Sequence, residues 1–455
     1  MEEYKILSAT AILGYGFPRK SFEEGLKRNP HAIAVDAGST DPGPYYLGAG
    51  ISFTDKEAVK RDLEFMISAG LERNIPVIIG TAGGSGAKPH VDWCRKIIEE
   101  IAQEYNQSYW LAIIYSDFDK QTVVDGLRTG RISPLGPAPE LTAEIIQNAT
   151  RIVGQMGYEP FIKAIEGGAQ VILAGRAYDP AVFAAPAIHA GFDRGLAIHL
   201  GKILECASIC AVPGSGSDCI MGYIGKDYFR VEPLNPIRKC TTISVSAHTL
   251  YEKTNPYFLP GPGGHLDLTQ TEFIQETENS VRVRGTRYIP AEKFTIKLEG
   301  ATLIGFRTVS IAGARDPVMI SHIDRIIEGV RERVSDNFAD KQLKYDLNFI
   351  LYGKNGVMGK LEPVKQTQSH ELGIVIEAVS DSQEHSDTIC AFARSTMLHF
   401  GYEGRRATAG NLAFPYSPSD FHAGEVYAFS IYHLIEVDSP LLPFRTEFVR
   451  IGEGK

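Results

Sequence analysis

Apolar residues in the first half of the chain fall into short, nearly unbroken runs, at residues 6–13, 32–35, 77–79, 110–115 and 171–174. Runs of four to eight apolar, β-branched residues read as strands buried on both faces. Between them the period changes to that of amphipathic helices, at residues 55–69, 91–105, 141–156 and 159–167. Strand and helix alternating at this spacing predict βαβ units. The expected fold is α/β, a mainly parallel sheet flanked by helices, either doubly wound or closed into a barrel. Past Leu234-Asn-Pro236 the pattern becomes one of alternation, at 241–247, 280–284, 294–298, 306–311, 347–351 and 372–379. Helical periods at 317–334 and 386–399 accompany it. This predicts a first α/β domain over residues 1–234 and a second, α+β domain over 235–455 that closes over the site.

The length, 455 residues, favours two domains over one core. Hydrophobic residues make up 44% and charged residues 22%, the balance of an ordinary globular protein. A net charge of −9 with no basic tract argues against nucleic acid as a partner. No apolar run reaches the length of a membrane span, and the acidic start Met-Glu-Glu-Tyr-Lys does not resemble a signal peptide. Six cysteines without a repeating spacing fit a reducing compartment, so a cytoplasmic location is expected.

Chemistry-bearing residues collect where strands end. Asp36, Asp41, Thr81, Ser85, Asp117, Asp119, Arg176 and Asp179 all follow the C-terminal end of a predicted strand. In parallel sheets that edge is where ligands bind. For each Asp alone, capping the next helix is the competing explanation. The run 77–79 leads into Gly80-Thr-Ala-Gly83-Gly84-Ser85-Gly86 and then a helix opened by Pro89. That arrangement suits an anion at a helix N-terminus, with Gly83, Gly84 and Ser85 as its contacts; tight packing of a β–α turn is the alternative. The loop matches neither G-x-x-x-x-G-K-[ST] nor G-x-G-x-x-G, so no nucleotide fingerprint is present.

Further along, Glu205 and Cys206 sit together on a predicted helix, with Cys206 the candidate reactive thiol and burial its competing fate. His248, Tyr251 and Glu252 lie within five residues, a candidate acid/base cluster; His248 and Glu252 share a face only if that stretch is helical. Arg315 precedes a helix capped by Asp316 and is suited to holding a carboxylate or a CoA phosphate. Asp36, His90 and Asp92 form the alternative set, a divalent metal site for hydrolysis.

These stretches in order resemble the acyclic terpene utilisation (AtuA-like) family. The carrying residues are Asp36-Ala-Gly-Ser-Thr-Asp41, Gly175-Arg-Ala-Tyr-Asp179, Glu205-Cys206, Ser246-Ala-His248 with Tyr251-Glu252, Gly313-Ala-Arg-Asp-Pro317 and the closing 404–418 stretch. The resemblance implies catabolism of small or branched organic acids through acyl-CoA intermediates. It also implies a ferredoxin-fold domain, attached in longer members and here expected as a small companion subunit. The expected enzyme acts on a small carboxylate or its CoA thioester by non-redox acid/base chemistry, as a hydratase, dehydratase or isomerase. Asp41, Asp179 and His248 are its acid and base candidates, supported by Glu205 and Cys206; Gly83, Gly84, Ser85, Arg176 and Arg315 bind the anion. No organic cofactor and a homo-oligomeric state are expected. A non-catalytic partner subunit is the remaining alternative.

Overall fold

A computed structural model describes residues 2–406 and 408–452. Two compact units form: residues 1–302 with 429–455, and residues 303–428. Residues 235–302, expected in the second domain, therefore lie in the first unit.

Among the described residues the first unit holds a ten-stranded mixed sheet. Its centre is parallel, in the order β1 (Tyr4–Ser8), β2 (Ala32–Asp36), β3 (Val77–Gly80), β5 (Val171–Ala174) and β4 (Tyr109–Ile114). These are the apolar runs of the sequence, and nearly every residue in them is buried, as a strand covered on both faces requires. Strand Ile220–Ile224 pairs antiparallel with β1, and Tyr228–Pro233, Val281–Arg284 and Glu272–Gln275 extend that side. Thr446–Ile451 closes the far side antiparallel to β4. The sheet is thus mixed and not mainly parallel as expected, with four parallel pairings at its centre and five antiparallel ones at its edges, and its strand order runs openly from Glu272–Gln275 to Thr446–Ile451. One apolar cluster covers each face: Leu7, Ile33, Ile79, Leu111 and Leu173 point to one, Ile6, Ala34, Ile78, Ala112 and Ile172 to the other. The period-2 geometry of strands makes the split, and helices cover both sides.

Four helices position the site: α1 (Lys88–Glu104), α2 (Asp179–His189), α3 (Arg194–Leu204) and α4 (Thr242–Thr249). The last replaces the strand expected at 241–247. Thr241 and Ser244 form a reciprocal capping box, which nucleates a helix in a β-branched segment that reads locally as strand. The helix expected at 141–156 is likewise shorter. It spans Ala143–Asn148, after which Arg151–Gly154 pairs antiparallel with Leu298–Ala301.

In the second unit, Tyr345–Tyr352 pairs with Leu372–Ser380, which pairs in turn with residues 306–314, all antiparallel. Helices Ile323–Phe338 and Gln383–His399 bury Ile326, Val330, Val334, Ile389, Ala393 and Met397 against the Leu372, Ile374, Ile376 and Ala378 face. That is the α+β pattern expected for these residues. No helix among the described residues is long and apolar enough to cross a membrane.

Candidate functional site

In the first unit, β5 ends at Ala174 and the chain turns through Gly175 and Arg176 into α2, whose first residue is Asp179. Arg176 is only 2% exposed yet fully engaged. Its Nε donates to Glu299 Oε2 at 2.6 Å, and its Nη1 donates to Asp179 Oδ1 at 2.8 Å and to the Ala177 carbonyl at 2.7 Å. Its backbone N–H donates to Ser116 Oγ at 2.7 Å, and Ser116 donates onward to the Gly86 carbonyl at 2.9 Å. A guanidinium is tolerated in the interior only when paired this completely.

Glu299 is wholly buried and gathers the cations around it. Lys297 Nζ lies 2.7 Å from its Oε1, and Thr40 Oγ1 donates to the same oxygen at 2.9 Å. Burial by itself would raise this carboxyl, but the Arg176 and Lys297 charges outweigh it and hold it at about 2. Lys297 and Glu299 alternate with Ile296 and Leu298 along one strand, a pattern that reads as a solvated polar face. Tertiary packing instead turns that face inward.

A cavity of about 410 Å³ opens beside this pair, lined among others by Asp41, Arg176, Tyr178, Asp179, Lys202, Glu205, Glu252, Lys253 and Lys297. Lys202 and Glu205 lie three residues apart at the C-terminal end of α3, with Nζ 2.5 Å from Glu205 Oε1. Glu205 Oε2 is buried without a hydrogen-bond partner. Burial pushes the Glu205 carboxyl up to about 7; Lys202 opposes that, and the Asp179 charge adds to it. Asp36, the last residue of β2, has a buried and unpartnered Oδ1. Burial and the Asp179 charge drive its carboxyl well above the usual range against the pull of Arg176. Carboxylates held this close in a poorly solvated place cannot all ionise, which is the condition for one to act as acid and another as base.

Lys253 follows α4 on the turn around Glu252, which adopts φ +61°. Its ammonium is half-buried, and no hydrogen bond or ion pair holds it among the described residues. Burial lowers its pKa and the Lys202 charge lowers it further, against the opposing charges of Glu205, Asp179 and Glu252.

The sequence-derived candidates separate into two groups. Asp41, Asp179, Glu205, Arg176 and Glu252 line the cavity, and Cys206 and His248 do not. Burial and the adjacent Glu205 raise the Cys206 thiol, so it stays protonated and is no ready nucleophile. Burial, with the Lys202 charge, lowers His248 to about 4, so its imidazole is neutral; it stacks on Tyr251 with ring centroids 5.6 Å apart. Glu252 lies beyond the end of α4, so it and His248 do not share a helix face.

Gly83, Gly84 and Ser85 do not line the cavity, and residues 81–87 are buried throughout. A Cβ on Gly84 would stand 2.2 Å from the Phe53 ring, and one on Gly86 2.1 Å from the Arg176 backbone nitrogen. Packing accounts for these glycines. The loop serves the site indirectly by bringing its backbone against Arg176. Arg315 is exposed in the second unit, where Asp316 caps the following helix by accepting from Val318 N at 2.7 Å.

The alternative metal set does not form. The His90 Nε2 lies 3.1 and 3.0 Å from the Tyr46 and Ile51 carbonyls, and Asp92 accepts from Tyr115 at 2.8 Å and from Lys88 at 2.6 Å. No three His, Cys, Asp or Glu side chains converge as metal ligands among the described residues. Asp119 accepts from the Thr122 N–H of the next helix, as the capping explanation has it, whereas Asp117 accepts from the Lys88 N–H at the start of α1, an earlier helix.

Sequence reading missed Lys202, Lys253, Lys297, Glu299 and Tyr178. One signal was available: Lys202 and Glu205 interrupt an otherwise apolar helix at i, i+3 spacing.

A family model described as acyclic terpene utilisation family protein AtuA matches residues 55–214 and 238–417. Comparison with curated proteins and with solved structures returned no match.

Proposed function

We propose that this chain, which belongs to the acyclic terpene utilisation (AtuA) family, is a catabolic enzyme that moves protons on a small carboxylic acid or its CoA thioester. The reaction class is hydration, dehydration or isomerisation. The observation that carries the reading is the juxtaposition of Glu205 with Lys202 and Lys253 on the wall of one cavity. Of the three lysines on that wall, Lys202 and Lys297 are paired with Glu205 and Glu299, and Lys253 is the cation left to attract a carboxylate.

With a carboxyl that titrates near neutral pH and one oxygen free, Glu205 is suited to take a proton from the carbon next to a carbonyl or carboxylate and to return it elsewhere. Asp36, buried and biased to its protonated form, does not line the cavity and stands in the field of Asp179, Arg176 and Glu205. Asp179 and Arg176 hold each other, so both act by positioning and by setting the field felt by Asp36 and Glu205. Asp41 and Glu252 stand on the lining as exposed carboxylates. A small ferredoxin-fold companion completes the protein on this reading.

The test is solvent exchange. The purified chain, with and without such a companion, is incubated in D₂O with mono-, di- and tricarboxylates and branched acyl-CoAs, and deuterium at carbon is followed by NMR. Enzyme-dependent exchange that is lost in Glu205→Gln supports the reading. If no carboxylate or thioester stabilises the protein and none exchanges, with or without the companion, the proposal fails and a non-catalytic partner subunit takes its place.

A further inference from the structure

Lys253 stands apart from the other cations of the cavity. Arg176 is held by Glu299 and Asp179, Lys297 by Glu299 and Lys202 by Glu205. Lys253 alone among these four has no ion pair or hydrogen bond among the described residues, although it lines the same cavity and is half-buried. A lysine kept for structure or solubility reaches either a carboxylate or water. This one has neither fate in full: Lys202 stands in its field, and so do Glu205, Asp179 and Glu252, yet none of these carboxylates pairs with it.

Taking the acid/base reading of this cavity as its basis, we infer that Lys253 is an amine nucleophile that forms a Schiff base with an oxo-acid. The substrate then carries a ketone or aldehyde carbon close to its carboxylate. An amine nucleophile must be unprotonated for part of the time, and desolvation beside a second positive charge achieves that. Here Lys202 supplies the second charge, and its bond to Glu205 keeps it protonated. The direction of the Lys253 shift agrees with this placement.

The step balances without any further reagent. Lys253 Nζ, as the free amine, bonds to the carbonyl carbon while the π pair moves to oxygen, and one proton passes from nitrogen to that oxygen to give a carbinolamine. A second proton, the one the Lys253 ammonium gave up to solvent, turns the hydroxyl into water; the carbon–oxygen bond breaks, water leaves, and an iminium remains. The iminium draws electrons from the adjacent carbon, so Glu205 removes a proton there to give an enamine. Returning a proton at a different position, or expelling a β-hydroxyl as water, gives the isomerised or dehydrated skeleton. Hydrolysis then restores the lysine.

The experiment is reductive trapping on the full chain. Pyruvate, acetoacetate and 2-oxoglutarate are incubated separately with the protein and sodium borohydride, and peptide mass spectrometry locates the reduced adduct. Thermal shift with the same acids, and with succinate as a carboxylate lacking the ketone, runs in parallel. The expected result is an adduct confined to the Lys253 peptide for at least one oxo-acid. Lys253→Arg should lose the adduct and keep the thermal shift, since the charge remains. If the oxo-acids stabilise the protein but no adduct forms, or the adduct spreads evenly over surface lysines, the Schiff base is overturned while the acid/base reading stands. If none of the probes shifts the melting temperature or is trapped, the Schiff base is overturned, and the acid/base reading is decided separately by the solvent-exchange experiment.

Discussion

Replacing Glu299 with glutamine takes one negative charge from a buried cluster that holds two cations, Arg176 and Lys297. Its carboxyl sits at about 2 in place of the ordinary 4.5. Each pKa unit between folded and unfolded states is worth about 1.36 kcal/mol, so this carboxylate contributes about 3 kcal/mol to folding. Because the folded value is the lower one, that contribution is complete above about pH 4.5 and is lost as the pH falls towards about 2. At neutral pH Glu299→Gln should therefore cost about 3–5 kcal/mol, the range for breaking a buried pair and stranding its partner. Asp179 remains on Arg176, which argues for the lower end. Trp93 and Trp110, the chain's two tryptophans, both lie in the first unit, so their fluorescence in a urea titration reports that unit. The triple replacement Arg176→Met, Glu299→Leu, Lys297→Met should cost less than the sum of the singles, because no charge is left stranded. A loss below about 1 kcal/mol for Glu299→Gln would refute the claim that this carboxylate compensates the buried cations.

Three further outcomes are expected. Acting as a base, Glu205 requires its ionised form, so kcat/KM should rise with pH through a limb near 7, and Glu205→Gln should abolish both that limb and most of the activity. Asp179→Asn should leave the far-UV spectrum and oligomeric state unchanged while lowering turnover by roughly 10²-fold or more, because the field that biases Asp36 and Glu205 is lost; wild-type turnover would remove Asp179 from the mechanism. Gly86→Ala drives a methyl group into the Arg176 backbone and should fail to accumulate or should melt far below wild type. By contrast Gly130→Ala, at the same φ of +69° but with nothing within 4 Å, should cost about 1 kcal/mol. Equal melting temperatures for the two variants would contradict the packing account of the glycine loop.

Much of the first unit was legible in the chain itself. Buried strands announce themselves as short β-branched runs because both faces must be apolar, and the loops after them must hold the polar residues that the runs exclude. That logic placed Asp36, Asp41, Arg176 and Asp179 together; Glu205 was singled out separately, beside Cys206 on a predicted helix. What misled it was local ambiguity. Residues 241–247 are β-branched enough to read as a strand, and the reciprocal Thr241–Ser244 cap, which acts only once the turn forms, makes them a helix. The glycines after β3 look like an anion cradle in sequence, yet their spaces are filled by Phe53 and the Arg176 backbone.

The family, the α/β alternation and five of the cavity's charged residues were thus determined by sequence alone, because apolar period and residue type are properties of neighbouring positions. Tertiary structure alone decided that Lys297 and Glu299 turn inward, that a half-buried Cys206 and a buried His248 are uncharged, and that Lys253 is left without a partner among the described residues. Burial and pairing arise between segments as far apart as Arg176 and Glu299, 123 residues along the chain, and no local pattern encodes them.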